Sequence, residues 1–228
     1  MFVIYWLIFI CPMLVGALIF LLAISGSTRN KRHSRYIVSN KEELPYYKGR
    51  WGERVVANHL NMLGKEYLII NDVMIEANNR TSQIDHIVVS PYGIFVIETK
   101  NYSGILYGEE YDRYIPYICG PNQHSIYNPL KQNRSHVYTL MNALDIHNRN
   151  VFIPILAISD NCESHIQAKA DIVPFDCVCD AIDQYKQPIF SYEDVLSIAQ
   201  RINDLNIQNA EDREKHVERV RLNNECPF

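Results

Sequence analysis

The chain has 228 residues, 47% of them hydrophobic, enough for one domain of ordinary size with room for a tail or anchor. A net charge of −4 excludes a protein that grips nucleic acid through bulk charge, so any such binding must rest on a local site. The six cysteines (Cys11, Cys119, Cys162, Cys177, Cys179 and Cys226) include a C-x-C but no paired C-x-x-C, which excludes an ordinary structural zinc site.

Residues 2–24, FVIYWLIFICPMLVGALIFLLAI, carry no charge and are long enough to cross a ~30 Å hydrocarbon layer as a helix. Tyr5 and Trp6 sit near its outer end, where aromatic rings favour the membrane interface. The charges that follow have one sign: Arg29, Lys31, Arg32 and Arg35. A cleaved signal peptide would place its positive charges before the apolar run, not after it. The pattern therefore predicts a transmembrane anchor over 1–25 and a basic juxtamembrane linker over 26–45. The expected location is the cell membrane, single-pass, with the N-terminus out and the body in the cytosol. In the cytosol, disulfides are disfavoured.

A helix is predicted over 47–63, with Gly64 as its stop. EYLIINDVMIE (66–76) alternates as a strand does, and 77–82 is a polar loop. QIDHIVVSPYGIFVIETK (83–100) reads as two apolar strands around a Pro-Tyr-Gly turn, and NYSGILYG (101–108) as a continuation of the same sheet. Residues 109–127 are rich in Tyr and Pro and show no period. Asn128-Pro129 opens a helix with Leu130, Val137, Leu140, Met141 and Leu144 on one face. VFIPILAIS (151–159) has the continuous apolar run of a strand buried on both faces, and 170–179 is a weaker strand. Ser191, with Asp194 three residues on, caps a last helix to about 203, and 206–228 is a charged tail, either frayed helix or disordered. The order is that of a mixed α/β fold: a sheet with a central antiparallel hairpin, flanked by helices. No phosphate loop is present, so no NTPase is evident.

The hairpin carries the chemistry. With a four-residue loop, Ser90 to Gly93, Val89 faces Ile94, Ile87 faces Val96 and Asp85 faces Glu98. Alternation then places Gln83, Asp85, Glu98 and Lys100 on one side of the sheet. Two carboxylates in directly opposed positions repel unless something positive lies between them, and a divalent cation with oxygen preference is the natural partner. A register slip of one residue would send the acids to different faces. Glu53 shares a helix stripe with Val56, Leu60 and Leu63, an expensive place for a carboxylate without a partner. Gln132 has His136 one turn on, and either side chain is placed to contact a phosphate or order the lysine. Taken singly, these residues also read as hairpin-end charges or a first-turn acid, and His86 as a core or interface histidine. Four of them in this order point to a site.

KGRWGERVV, NDV, TSQIDHIVVSPYGIFVIETKNYSGILYG and NPLKQNRSHVYTL together resemble the nuclease-related domain (NERD) family, across about residues 46–145. That family in turn resembles the PD-(D/E)XK nucleases, which implies a restriction-endonuclease-like domain over 46–205. Carried over by position, the resemblance makes Glu53 the helix acid and Asp85 and Glu98 metal ligands, with the Thr99 carbonyl a further ligand. Lys100 becomes the catalytic lysine and Gln132 the accessory helix glutamine. The implied activity is Mg²⁺- or Mn²⁺-dependent hydrolysis of DNA phosphodiester bonds by a membrane-anchored enzyme, with RNA left open as a substrate. The expected partners are DNA, the lipid bilayer through residues 2–24, and envelope or DNA-processing proteins. The competing reading is a non-catalytic adaptor that keeps the nuclease fold to bind nucleic acid or protein.

Overall fold

A computed structural model describes residues 44–77 and 80–225. In chain order its elements are helix α1 (Leu44–Leu60), strands β1 (Leu68–Ala77), β2 (Arg80–Ser90), β3 (Gly93–Lys100), β4 (Gly104–Glu109), β5 (Tyr114–Cys119) and β6 (Asn122–Tyr127), and helix α2 (Pro129–Leu144). Then come β7 (Phe152–Ile158), β8 (Cys162–Gln167), β9 (Asp171–Pro174), and helices α3 (Val178–Asp183), α4 (Tyr192–Leu205) and α5 (Ala210–Glu225).

β2 and β3 pair antiparallel with Ile87 opposite Val96, Val89 opposite Ile94 and Ser90 opposite Gly93. The loop is therefore two residues, Pro91 and Tyr92, shorter than expected, yet the register is the expected one. Gly93 is required here. Its φ is 151°, and a Cβ on it would lie 2.3 Å from Ile153 Cδ1. The main sheet runs β1-β2-β3-β7-β9, with β7 and β9 parallel to β3. Its strands β3 and β7 are covered on both faces, which is why both read as near-continuous apolar runs.

One face packs Ile87, Val89, Ile94 and Val96 against Val137, Leu140 and Leu144 of α2 and Val195, Ile198 and Ile202 of α4. The other packs Val88, Phe95, Ile97 and Ile155 against Val56 and Leu60 of α1 and Val178 and Ile182 of α3. Burying a large aliphatic or aromatic side chain stabilises by roughly 1.5–3 kcal/mol, so these two layers fix where the hairpin ends lie.

Three expectations are corrected. Residues 101–108 do not extend the main sheet: β4 enters a second sheet, β6-β5-β4-β8. The chain turns there at Gly104, whose φ of 122° and close approach to the Ile118 carbonyl leave no room for a side chain. The unperiodic stretch 109–127 supplies β5 and β6, because Ile115 alone is fully buried between exposed neighbours and packs with Leu106 and Ile166. The strand expected over 170–179 ends at Pro174, and a 3₁₀ turn (Phe175–Cys177) leads into α3, so Cys177 and Cys179 belong to a helix start.

The membrane location is also corrected. Among the described residues no helix is long and apolar enough to cross a membrane. Helix α1, at 17 residues, falls short of the ~20 apolar residues a span needs and exposes Tyr46, Tyr47 and Trp51. The expected anchor (1–25) and all but the last two residues of the expected linker (26–45) lie outside the described residues.

Candidate functional site

The β2–β3 ladder ends at His86 opposite Ile97, and the two strands separate beyond that pair. There Asp85 Oδ2 accepts a hydrogen bond from the Thr99 amide at 2.8 Å, so a side chain replaces the backbone partner that a continued ladder would supply. β1 is irregular at the same level. Asp72 lies between the pairs Asn71–His86 and Val73–Ile84, facing Asp85, and has a φ of 54°. The strands rotate here: Ile84 and Ile87, three residues apart, both point into the α2–α4 layer. Strained backbone beside a group of carboxylates is a common feature of functional sites.

Glu98 leaves β3 on the α2 side and is buried, with 1% of its side chain exposed. Lys100 Nζ lies 2.6 Å from Glu98 Oε1, and His136 Nε2 lies 3.0 Å from Glu98 Oε2. Behind His136, its Nδ1 is 2.6 Å from Ser82 Oγ on β2, and the Gln132 amide flanks Nε2 at 3.5 Å. Helix α2 reaches this position because Asn133 Nδ2 donates to both the Val96 and Ile155 carbonyls at 2.9 Å, pinning the helix to two strands. Asn128 caps the same helix through Leu130 N, as its sequence position predicts.

The electrostatics follow from crowding. Burial alone would raise the Glu98 carboxyl, but Lys100 and His136 outweigh it and pull it down to about 2. Burial, reinforced by the Glu98 charge, pushes Asp85 well above the ordinary carboxylate range despite Lys100 and the Thr99 amide. Burial would lower Lys100, yet Glu98 holds it above its ordinary value, so the ammonium stays charged. Glu53 on α1 is raised by burial, opposed by Arg50 and reinforced by Asp72 and Glu98. It shares the field of the cluster without a contact to it. Gly52 explains how α1 comes so near the end of β3: a Cβ there would meet Asn101 Cβ at 3.0 Å and Thr99 Cγ2 at 3.4 Å.

The structure thus brings together Asp85, Glu98 and Lys100, with Glu53 within electrostatic range. Gln132 reaches His136 and contacts neither Glu98 nor Lys100. Thr99 contributes its amide to Asp85, and its Oγ1 is buried with no hydrogen-bond partner among the described residues. Sequence reasoning places His136 on the right helix face without its contact to Glu98, and misses Ser82 and Asp72. No periodicity marks either of those two. Among the described residues no three His, Cys, Asp or Glu side chains close around one point. The donor chemistry still fits a hard cation: Mg²⁺ favours one or two carboxylates, with water and substrate phosphate completing its shell.

A mixed sheet whose central hairpin opens at two acids and a lysine is consistent with a nuclease-like fold. Residues 48–159 match the family model of the nuclease-related domain. An uncharacterized protein of Bacillus anthracis is 28% identical over 183 residues, covering 78% of this chain and 85% of its own. A solved structure, that of the protein of unknown function AF1548, covers 79% of this chain and 99% of its own at 10% identity. Its TM-score of 0.28 is too low to bear on the fold.

Proposed function

We propose that this protein is a metal-dependent nuclease that hydrolyses DNA phosphodiester bonds. The observation that supports the reading is the separation of β2 from β3 at Asp85, where Asp85 takes the Thr99 amide next to Glu98 and Lys100 pairs with Glu98. Asp85 and Glu98 would hold Mg²⁺ or Mn²⁺, with the Thr99 carbonyl and Glu53 as further oxygen donors. Bound there, the ion supplies an acidified water and neutralises charge gathering on the phosphate.

The chain's own groups do the rest. The Thr99 amide fixes one oxygen of Asp85 and so sets the direction of the other. Lys100 is about one-fifth exposed beside a fully buried Glu98, so part of its side chain reaches solvent and its ammonium would meet a scissile phosphate or attacking water that enters there. Held in the charged form, it acts as a fixed positive charge and donor, not as a base. Gln132 packs on His136 and steadies the helix side of the site.

The test uses the full-length protein with linear, circular and single-stranded DNA and a matching RNA, in Mg²⁺ or Mn²⁺, beside Glu98→Gln and Lys100→Ala. Cleavage should fall by at least ~10²-fold in both variants and disappear with chelator. Equal cleavage by both variants and wild type would reject the site. Binding without cleavage by any form would favour the adaptor.

A further inference from the structure

We infer that His136, backed by Ser82, is a positioning residue that fixes the rotation of the Glu98 carboxylate for cation binding. The inference rests on the metal-dependent reading of the site and adds to it a residue pair that neither the hairpin nor its spacing reveals. Each Glu98 oxygen faces a nitrogen: Lys100 Nζ lies 2.6 Å from Oε1, and His136 Nε2 lies 3.0 Å from Oε2, which has no hydrogen-bond partner among the described residues. The two contacts differ in kind. Lys100 is a long side chain, 21% exposed, whose four torsions would let its ammonium swing from Glu98 toward a phosphate. His136 is buried, on a helix that Asn133 ties to the sheet, and it cannot follow.

When Lys100 engages substrate, His136 alone stops the carboxylate from turning. The terminal torsion of a glutamate is broad and opposes rotation weakly, so an external hold is needed. Each carboxylate oxygen carries two lone pairs, so the contact at 3.0 Å leaves Oε2 a second direction for a cation. Ser82 fixes the ring itself. In the tautomer that carries its proton on Nε2, toward Glu98, Nδ1 is bare and the Ser82 hydroxyl, 2.6 Å away, is the donor that meets it. A histidine serving only as filler would need neither contact. Groups that orient a metal-binding side chain commonly change metal affinity by ~10–100-fold when removed.

The substitutions that separate positioning from packing are His136→Gln and His136→Asn. Glutamine keeps a donor near the Nε2 position and so can still hold Glu98, whereas asparagine keeps only the short reach toward Ser82. Full-length wild type, both variants, Ser82→Ala and Glu98→Gln would be titrated with Mn²⁺ without DNA, read by electron paramagnetic resonance and calorimetry. His136→Asn should weaken Mn²⁺ by ~10–100-fold, His136→Gln by a few-fold only, and Ser82→Ala to an intermediate degree. DNA cleavage by His136→Asn should recover toward the wild-type kcat at saturating Mn²⁺, a recovery that a structural defect would not show. Should His136→Asn bind Mn²⁺ as wild type does while Glu98→Gln does not, the positioning role is wrong and the metal site stands. If wild type itself binds no Mn²⁺, the metal reading falls and takes the inference with it.

Discussion

His86 and Asp85 are neighbours in sequence and differ in their chemistry: Asp85 accepts from the Thr99 amide, while His86 is enclosed in the core. His86 is 2% exposed; its Nδ1 lies 2.7 Å from Asn71 Oδ1, and its Nε2 has no partner among the described residues. Burial lowers its pKa to about 4, because a proton on Nε2 would sit in the core with nothing to accept it. The unfolded chain takes that proton near 6.5 and the folded one only near 4, so between these values the unfolded state binds more protons. Stability therefore falls as pH drops through this window, by about 3 kcal/mol at 1.36 kcal/mol per pKa unit. Asp85 and Glu53 act with the other sign, since a raised acid binds its proton more tightly in the folded state. The readout is accordingly the difference between wild type and His86→Leu, in chelator, by denaturant unfolding at pH 7, 5.5 and 4. The gap between them should shrink or reverse on acidification by about 3 kcal/mol, and parallel curves would refute the assignment. Such properties are only half legible in a sequence. Alternation groups Asp85, Glu98 and Lys100 in the sequence, but Ile84 and Ile87, three residues apart, share one layer, so strict alternation stops beside Asp85. The partner across the layer depends on how a helix docks, so the His136–Glu98 contact does not stand out.

Among the elements, β1 shows where sequence pattern stops being informative. EYLIINDVMIE alternates well enough to announce a strand, but the switch of face within it depends on one residue, Asp72, in the left-handed region. Aspartate tolerates that region better than a branched side chain, whose Cβ substituents collide with the backbone there. Asp72 is also held from outside the strand: Gln83 Nε2 donates to its Oδ1 at 2.6 Å, and Arg213 of α5 pairs with the same oxygen at 2.6 Å. Replacing it with asparagine should cost only the half-buried ion pair, up to ~1 kcal/mol. Replacing it with valine should cost a further ~1–3 kcal/mol for the strained conformation. Urea unfolding of the two variants measures the gap directly; equal midpoints would mean that the backbone relaxes without loss. The same contacts explain why α5 forms in a stretch whose composition suggests a solvated tail. Arg213 also donates to the Ile207 and Asp72 carbonyls, and His216 meets Thr81, so polar contacts tie the first two turns of the helix to β1 and β2. Helix α2, β7 and α4 needed no such help. Each carries its own cap or apolar run, and each appears where the sequence placed it.

For the whole molecule the governing quantity is charge. A chain of net −4 repels a polyanion at long range, and the site's one embedded cation, Lys100, is already paired with Glu98. Among the described residues Arg213 is engaged with Asp72, which leaves exposed Arg50 near Glu53 and exposed Lys48 beside Ser103 as flanking positive groups able to meet phosphates. DNA binding at this site should therefore release few counterions. With about two or three phosphates neutralised, the logarithm of kcat/KM at constant Mg²⁺ should fall against the logarithm of salt with a slope of roughly −2 to −3. Extended basic grooves give far steeper slopes, on the order of −6 or beyond. Under the proposed activity, a steep slope would show that the protein grips DNA through groups outside the hairpin site. Arg29, Lys31, Arg32 and Arg35 are the densest run of positive charge ahead of the described residues, and they provide the control. If changing all four to glutamine leaves a shallow slope unchanged, the hairpin site carries the phosphate contacts by itself. If it converts a steep slope to a shallow one, the contacts reside in that basic stretch, and the acidic body supplies only the chemistry.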